Sequence, residues 1–217
     1  MTVTRRFSVG QFAIAVAAMA VVVVASNYLV QFPVQGHLGA LNLADLLTWG
    51  AFTYPAAFLV TDLTNRKFGP NPARLVVAVG FVLAVALSIL LSTPRIAAAS
   101  GTAFLVAQLL DVTVFNRLRR LSWWKAPFAS SLIGSVIDTI LFFSIAFSGA
   151  FAVLLGYYDA FAVETAPLLG VFAAEVPRWI SWAVGDFSVK ILVAVFLLAP
   201  YRILLGLLVP MPKGAAA

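Results

Sequence analysis

Six apolar runs, each long enough to cross a bilayer, leave this chain few alternatives. They fall at about 9–30, 44–64, 75–92, 96–115, 127–150 and 179–199, close to the roughly 20 residues a helix needs to span about 30 Å of hydrocarbon. Lipid offers no partner to backbone N–H and C=O groups, so such runs fold as helices. With 63% of the 217 residues hydrophobic and only 10% charged, a water-soluble domain is excluded. The expected fold is therefore an all-α integral membrane protein, a single transmembrane domain over 1–217 with six helices. PVQGHLG from Pro33, NRKFGPNPAR from Asn65, STPR from Ser92 and RLRRLSWWK from Arg117 concentrate helix breakers and charge and mark loops. The segment 151–178 is expected as a long outer loop, and 202–209, too short to span, as an interfacial helix.

Alternating six spans from a cytoplasmic N-terminus places Arg5, Arg6, Arg66, Lys67, Arg74, Arg117, Arg119, Arg120, Lys125, Arg202 and Lys213 on one side, eleven of the fourteen basic residues. Asp159, Glu164 and Glu175 then fall outside. The bias predicts that both termini are cytoplasmic. The net charge of +6 is thus spread over several short loops, which excludes a nucleic-acid partner and leaves the lipid bilayer as the surrounding partner. A cleaved signal peptide at the first run is disfavoured, because the run exceeds the usual h-region of about 7–15 residues. There is no cysteine and one histidine, His37, so disulfides, thiolate chemistry and sites needing two imidazoles are excluded, and no metal or cofactor is expected. His37 lies in an outer loop with no special role.

An Asp or Lys at mid-span costs about 2.5–3.5 kcal/mol, so each needs a partner or a wet cavity. Helical spacing aligns Asn27 and Gln31 on span one, and Thr48, Ala51, Pro55, Phe58, Asp62 and Asn65 on span two. Span four aligns Ser100, Phe104, Gln108 and Asp111, and span five Ser131, Ser135, Asp138 and Phe142. Span six aligns Trp179, Trp182, Asp186 and Lys190. Span three carries almost nothing polar. A pocket lined by spans one, two, four, five and six is expected, with Asp138, Asp111, Gln108, Ser131, Ser135, Asn27, Gln31, Phe58, Phe104 and Trp182 as substrate-contact candidates. Asp62, Arg95, Asp186 and Lys190 are candidates for a charge network or gate. Simpler roles stand beside these: Asp186 and Lys190 as an i,i+4 ion pair, Asp62 bridged to Arg66, and the span-five serines as small packing residues. Asp111 and Asp138 have no cation within a turn of their own helix, which points to ligand contact or proton carriage. Carboxylates and amides among aromatic rings suit a flat, donor-rich heterocycle.

The strings NYLVQFPV from Asn27, FTYPAAFLVTDLTNRKFG from Phe52, PRIAAAS from Pro94, QLLDVTVFNRLRR from Gln108, WWKAPFASSLIGSVIDTILFFSIAF from Trp123 and DFSVKIL from Asp186 resemble the queuosine precursor transporters, the YhhQ-like branch of the vitamin uptake group. The resemblance covers five of the six spans in order. It implies a multi-pass importer of the bacterial inner membrane for 7-deazaguanine bases, the cyano and aminomethyl precursors of queuosine. It also implies a fold similar to the six-helix substrate-binding subunits of energy-coupling-factor vitamin transporters. The matched motifs carry Asp62, Arg95, Ser100, Gln108, Asp111, Ser131, Asp138, Asp186 and Lys190.

Alternatives are a binding subunit served by a separate ATPase, or a carrier for another purine-like or vitamin substrate. This chain has no G-x-x-x-x-G-K-[ST] phosphate loop, so any ATP coupling would have to come from another protein; the solitary carrier is the favoured reading, and a dedicated ATPase partner is not expected. A homo-oligomer stays open. An intramembrane aspartyl enzyme is the remote reading: Asp186 sits in AVGD rather than GxGD, so the chain is not expected to be an enzyme.

Overall fold

The computed structural model describes residues 9–152 and 158–208. Arg5, Arg6, Tyr157, Lys213 and the end of the expected interfacial helix at Val209 lie outside them. Five helices have the length and apolarity to cross a membrane: α1 (Val9–Leu29), α4 (Pro70–Leu91), α5 (Pro94–Leu118), α6 (Lys125–Phe147) and α8 (Arg178–Leu208). Between α1 and α4 lie two shorter ones, α2 (Gly50–Thr53) and α3 (Ala56–Phe68). Another short helix, α7 (Ala160–Val163), precedes α8.

The expected span at 44–64 is thus broken. Its first residues form a 3-10 turn at Leu43–Asp45, and the helix is interrupted at Tyr54–Pro55. Proline has no N–H to continue the ladder, and across the break the chain tightens to i→i−3 bonds, Ala57 N to Tyr54 O at 3.0 Å and Phe58 N to Pro55 O at 3.1 Å. Apolarity marked this segment for burial but not for one continuous helix. Arg202–Leu208 also differs from the expectation: it continues α8 through Pro200 instead of forming a separate interfacial helix.

Glycine is required at the starts of α2 and α4. Gly69 joins α3 to α4 at φ +95°, a conformation an L side chain rarely adopts, and Pro70 then starts α4. At Gly50 a Cβ would lie 2.9 Å from the Val30 backbone, so only glycine lets the start of α2 press against the end of α1. The start of α5 is set by Thr93, whose hydroxyl accepts from Ile96 N at 3.3 Å, and by Pro94 in the first turn. Thr93→Ala is expected to lower stability by about 1 kcal/mol, seen as a lower Tm of the purified protein in detergent.

α5 and α6 pack most extensively against each other. Buried Ala97, Ala99, Ala103 and Ala107 on α5 are the small residues that let helices approach closely where lipid supplies no hydrophobic drive. One apolar core joins α1, α3, α4 and α5 around Met19, Val76, Phe104 and Val112. A second joins α5, α6 and α8 around Phe115, Ala126 and Tyr201. At that second end Arg66 bonds the Tyr201 hydroxyl and the Arg119 carbonyl, and Arg202 lies over Trp123. The basic loops therefore converge on one end of the bundle.

The segment expected as an outer loop has structure of its own. Strands β3 (Thr165–Pro167) and β4 (Glu175–Pro177) pair antiparallel, and Asp159 caps α7. At the same end β1 (His37–Leu38) and β2 (Leu41–Asn42) form a second short hairpin.

Candidate binding cavity and a buried carboxylate pair

Where α1 and α4 end and α5 and α8 begin, the bundle encloses a cavity of about 730 Å³, within the range of small-molecule sites. Of the sequence candidates, Asn27, Gln31, Phe104, Asp138, Trp182, Asp186 and Lys190 line it. Asp111, Gln108, Ser131, Ser135, Phe58, Asp62 and Arg95 do not. α4 contributes Ser88 and Leu91, and Ser92 follows them, against the expectation that span three stays out. Their hydroxyls are satisfied locally, Ser88 with Ser92 at 3.0 Å and Ser92 with Ser88 O at 2.6 Å.

The charged wall is a triad from two helices. Lys190 Nζ on α8 lies 2.6 Å from Asp138 Oδ2 on α6 and 2.5 Å from Asp186 Oδ2 one turn back. The expected i,i+4 pair exists, but its cation is shared. Asp138, expected to be uncompensated, has its partner on another helix, which spacing along α6 could not reveal. Thr139 Oγ1 donates to Asp186 Oδ2 at 3.1 Å, and the Tyr54 hydroxyl donates to Asp138 Oδ1 at 2.9 Å. Tyr54 was missed from the sequence; the only cue was its place just before Pro55, at the break in the α2–α3 segment. Two carboxylates against one ammonium leave a net charge of −1. Both Asp138 oxygens are engaged, whereas among the described residues Asp186 Oδ1 carries no bond, and the Asp186 side chain is 16% exposed against 5% for Asp138.

Aromatic rings form the rest. Phe147 stands edge-on to Trp182 at 5.3 Å between centroids, and Phe161 of α7 lies 6.2 Å from Trp182. Arg178 covers Phe161 at 4.5 Å and pairs with Glu164 at 3.1 Å. The segment beyond α6 thus supplies one side of the mouth. On the far side Tyr54 packs edge-on against Phe58 and Phe104, both 1% exposed. Phe58 is packing in this floor, with no cavity surface of its own.

Beyond that floor lies a second polar group. Asp62 (α3) and Asp111 (α5), 1% and 0% exposed, face each other within hydrogen-bonding reach. Ser130 Oγ donates to Asp62 Oδ1 at 3.2 Å. The expected bridge from Asp62 to Arg66 is absent among the described residues; Arg66 instead turns to Tyr201, Arg119 and the face of Phe115. Gln108 accepts from Thr61 at 2.7 Å. Asp62 and Ser131 border a separate cleft of about 10 Å³ with Tyr201 and Leu198. Arg95 sits elsewhere, holding the Ile145 and Ser148 carbonyls at the end of α6 at 2.7 and 2.5 Å.

A family model described as "Putative vitamin uptake transporter" matches residues 48–93 and 87–204, which include α2 through most of α8. This chain belongs to the vitamin uptake transporter family. Among curated relatives it is 37% identical to the "Queuosine precursor transporter" of Escherichia coli (strain K12), over 86% of this chain and 83% of that protein. It is 36% identical, with the same coverage, to the "Probable queuosine precursor transporter" of Haemophilus influenzae. The protein of that name from Bacillus subtilis is 27% identical over 59% of this chain and 71% of its own length. No solved structure matches. As a member of this family, with five helices of membrane-spanning length, the protein is a multi-pass transporter of the bacterial inner membrane and not an enzyme.

Proposed function

We propose that this transporter imports 7-deazaguanine precursors of queuosine, the cyano and aminomethyl forms, as a solitary carrier. The observation that carries the reading is the 37% identity, over most of both chains, to a protein named for that substrate class. The cavity fits it chemically. A flat bicyclic base stacks between aromatic walls, and its N–H donor edge meets a carboxylate oxygen that no protein donor occupies, Asp186 Oδ1. Asp138, held by Tyr54 and Lys190, positions the cation that keeps Asp186 in place. Asn27, Gln31 and Ser100 supply further polar contacts around the base. Asp111, Gln108, Ser131, Ser135 and Phe58 act behind the cavity wall.

The proposed fold is a single domain of six passes, counting α2 and α3 together as one broken crossing, with both termini cytoplasmic. A helix broken beside a binding site is a recurrent transporter device. Arg66, Arg119 and Arg202 gather at one end and the cavity lies at the other, so the positive-inside rule turns the cavity outward, as an importer in its outward-facing state requires. The likeness to energy-coupling-factor substrate-binding subunits belongs to this proposal, whereas a dedicated ATPase does not.

The test is uptake of labelled cyano and aminomethyl 7-deazaguanine into bacteria lacking both queuosine biosynthesis and their own uptake route. Uptake restored by this gene supports the proposal. Restored queuosine without uptake of either free base overturns it.

A further inference from the structure

We infer that Asp62 and Asp111 form a proton-binding site, separate from the substrate cavity, through which import is driven by a proton gradient; this rests on the carrier function proposed above. The first observation is charge. Two carboxyl groups face each other with almost no exposure, and two adjacent carboxylates cannot both hold full charge in such a setting without a cation. None joins them among the described residues. Around them α3 offers Arg66, whose Nε and Nη1 go to Tyr201 and Arg119 while its Nη2 bonds nothing; α5 offers Gln108; α6 offers Ser130 and Ser131; α8 offers Tyr201.

Unpaired buried polar atoms lie at the pair and next to it. Beside the pair, buried acceptors stand without a donor, and the two unpaired buried donors nearby, Gln108 Nε2 and Arg66 Nη2, bond neither carboxyl. Neither Asp111 oxygen has a donor, and Asn65 Oδ1, fully buried one turn from Asp62, has none either. The Asn65 amide N–H is spent on the Val112 carbonyl at 2.9 Å, which ties Asn65 beside Asp111. Ser130 has one hydroxyl proton and gives it to Asp62. A proton between the carboxyls gives Asp111 a hydrogen bond that no side chain gives it among the described residues, and it changes the pair from −2 to −1.

Position gives the proton a route. Asp111 lies seven residues past Phe104 on α5, about 10 Å beyond the cavity floor toward the basic end. Asp138, Ser135 and Ser131 follow at helical spacing along one side of α6, and Ser130, next to Ser131, turns to Asp62. Ser135 Oγ in the middle of that track is buried without a partner. On the other side Asp62 borders the cleft of about 10 Å³, room for about one water. One proton binds the pair with each base and leaves to the cytoplasm after release of the base. The proposal carries no other ion.

Proteoliposomes loaded with unlabelled cyano-7-deazaguanine and given the labelled base test this. An inside-alkaline gradient of one pH unit is expected to raise accumulation about tenfold for one proton per base, and a protonophore to erase the gain. Asp62→Asn and Asp111→Asn are expected to lose that gain while still exchanging labelled for unlabelled base. Exchange without any gradient effect in the unaltered protein, accumulation driven by sodium instead, or unchanged coupling in both variants would overturn the proton site. Failure of the unaltered protein to exchange any 7-deazaguanine would instead overturn the transport reading. Independently of transport, the infrared spectrum of the purified protein is expected to show a protonated-carboxyl band that Asp111→Asn removes. Ser130→Ala, which keeps both acids, is expected to shift the pH at which that band disappears. If the Asn variants do not fold, the absence of the band in the unaltered protein still overturns the proposal.

Discussion

Lys190→Met is expected to be the most damaging single substitution in this protein, costing about 3–5 kcal/mol, the usual price of stranding buried charge. Lys190 is 4% exposed and lies within 2.6 Å of both Asp138 and Asp186, so its loss changes the cluster from −1 to −2 and removes the cation that the two acids share. Asp186→Asn has the opposite sign in charge, bringing the cluster to zero around an intact Asp138–Lys190 pair. It is expected to fold near normally while losing substrate binding. The double variant Lys190→Met with Asp138→Asn is expected to recover part of the stability lost in Lys190→Met alone, because the two residues are in direct contact and their effects are not additive. Folded yield and Tm in detergent, alongside binding of the cyano base, check all three. A Lys190→Met protein as stable as the unaltered one would mean that the triad is wetter than its burial implies.

That cluster also marks the boundary of what the chain discloses unfolded. Apolar runs marked α1, α4, α5 and α6, and the start of α8, to within several residues, because the bilayer imposes one length on any crossing helix. Periodicity within a helix placed Asp186 and Lys190 together for the same local reason. It could not reach Asp138, whose cation arrives from a helix 52 residues away in sequence, nor see that Asp62 and Asp111 meet across α3 and α5. Stripe membership gathered cavity and non-cavity residues alike: Phe104 and Phe58 look equivalent in the sequence, and only packing sends one to the cavity and the other into its floor. The break at Pro55 escaped notice because a proline within an apolar run leaves the hydropathy unchanged, yet that break is where Tyr54 bonds Asp138.

The two acidic groups divide the work by their surroundings. The outer one has a cation and an open carboxylate oxygen, which suits a neutral base presenting N–H donors. The inner one is bridged to no cation among the described residues and borders a narrow cleft, which suits a proton. Phe58, Phe104 and Tyr54 separate them, so binding at the cavity and events at Asp62 and Asp111 communicate through α6 and the floor rings, and any inward opening has to move that floor.

The same separation makes the aromatic residues distinguishable by experiment. Trp182 lines the cavity between Phe147 and Phe161, so Trp182→Ala is expected to weaken binding of cyano-7-deazaguanine about 5- to 150-fold, the equivalent of about 1–3 kcal/mol for one stacked base. Phe58 has 1% exposure and touches no cavity surface, so Phe58→Ala is expected to lower Tm and leave the affinity of the folded fraction within a few-fold of normal. Phe104 belongs to both groups, in the core and on the cavity wall, and Phe104→Ala is expected to lose both. Binding to purified protein compared across the cyano base, guanine and adenine completes the test. Guanine shares the donor edge and is expected to bind more weakly than the cyano base but better than adenine, whose ring nitrogen at the corresponding position accepts where the base must donate to Asp186. Equal affinity for adenine would remove the carboxylate from recognition, and an unchanged affinity in Trp182→Ala would place the base elsewhere in the cavity.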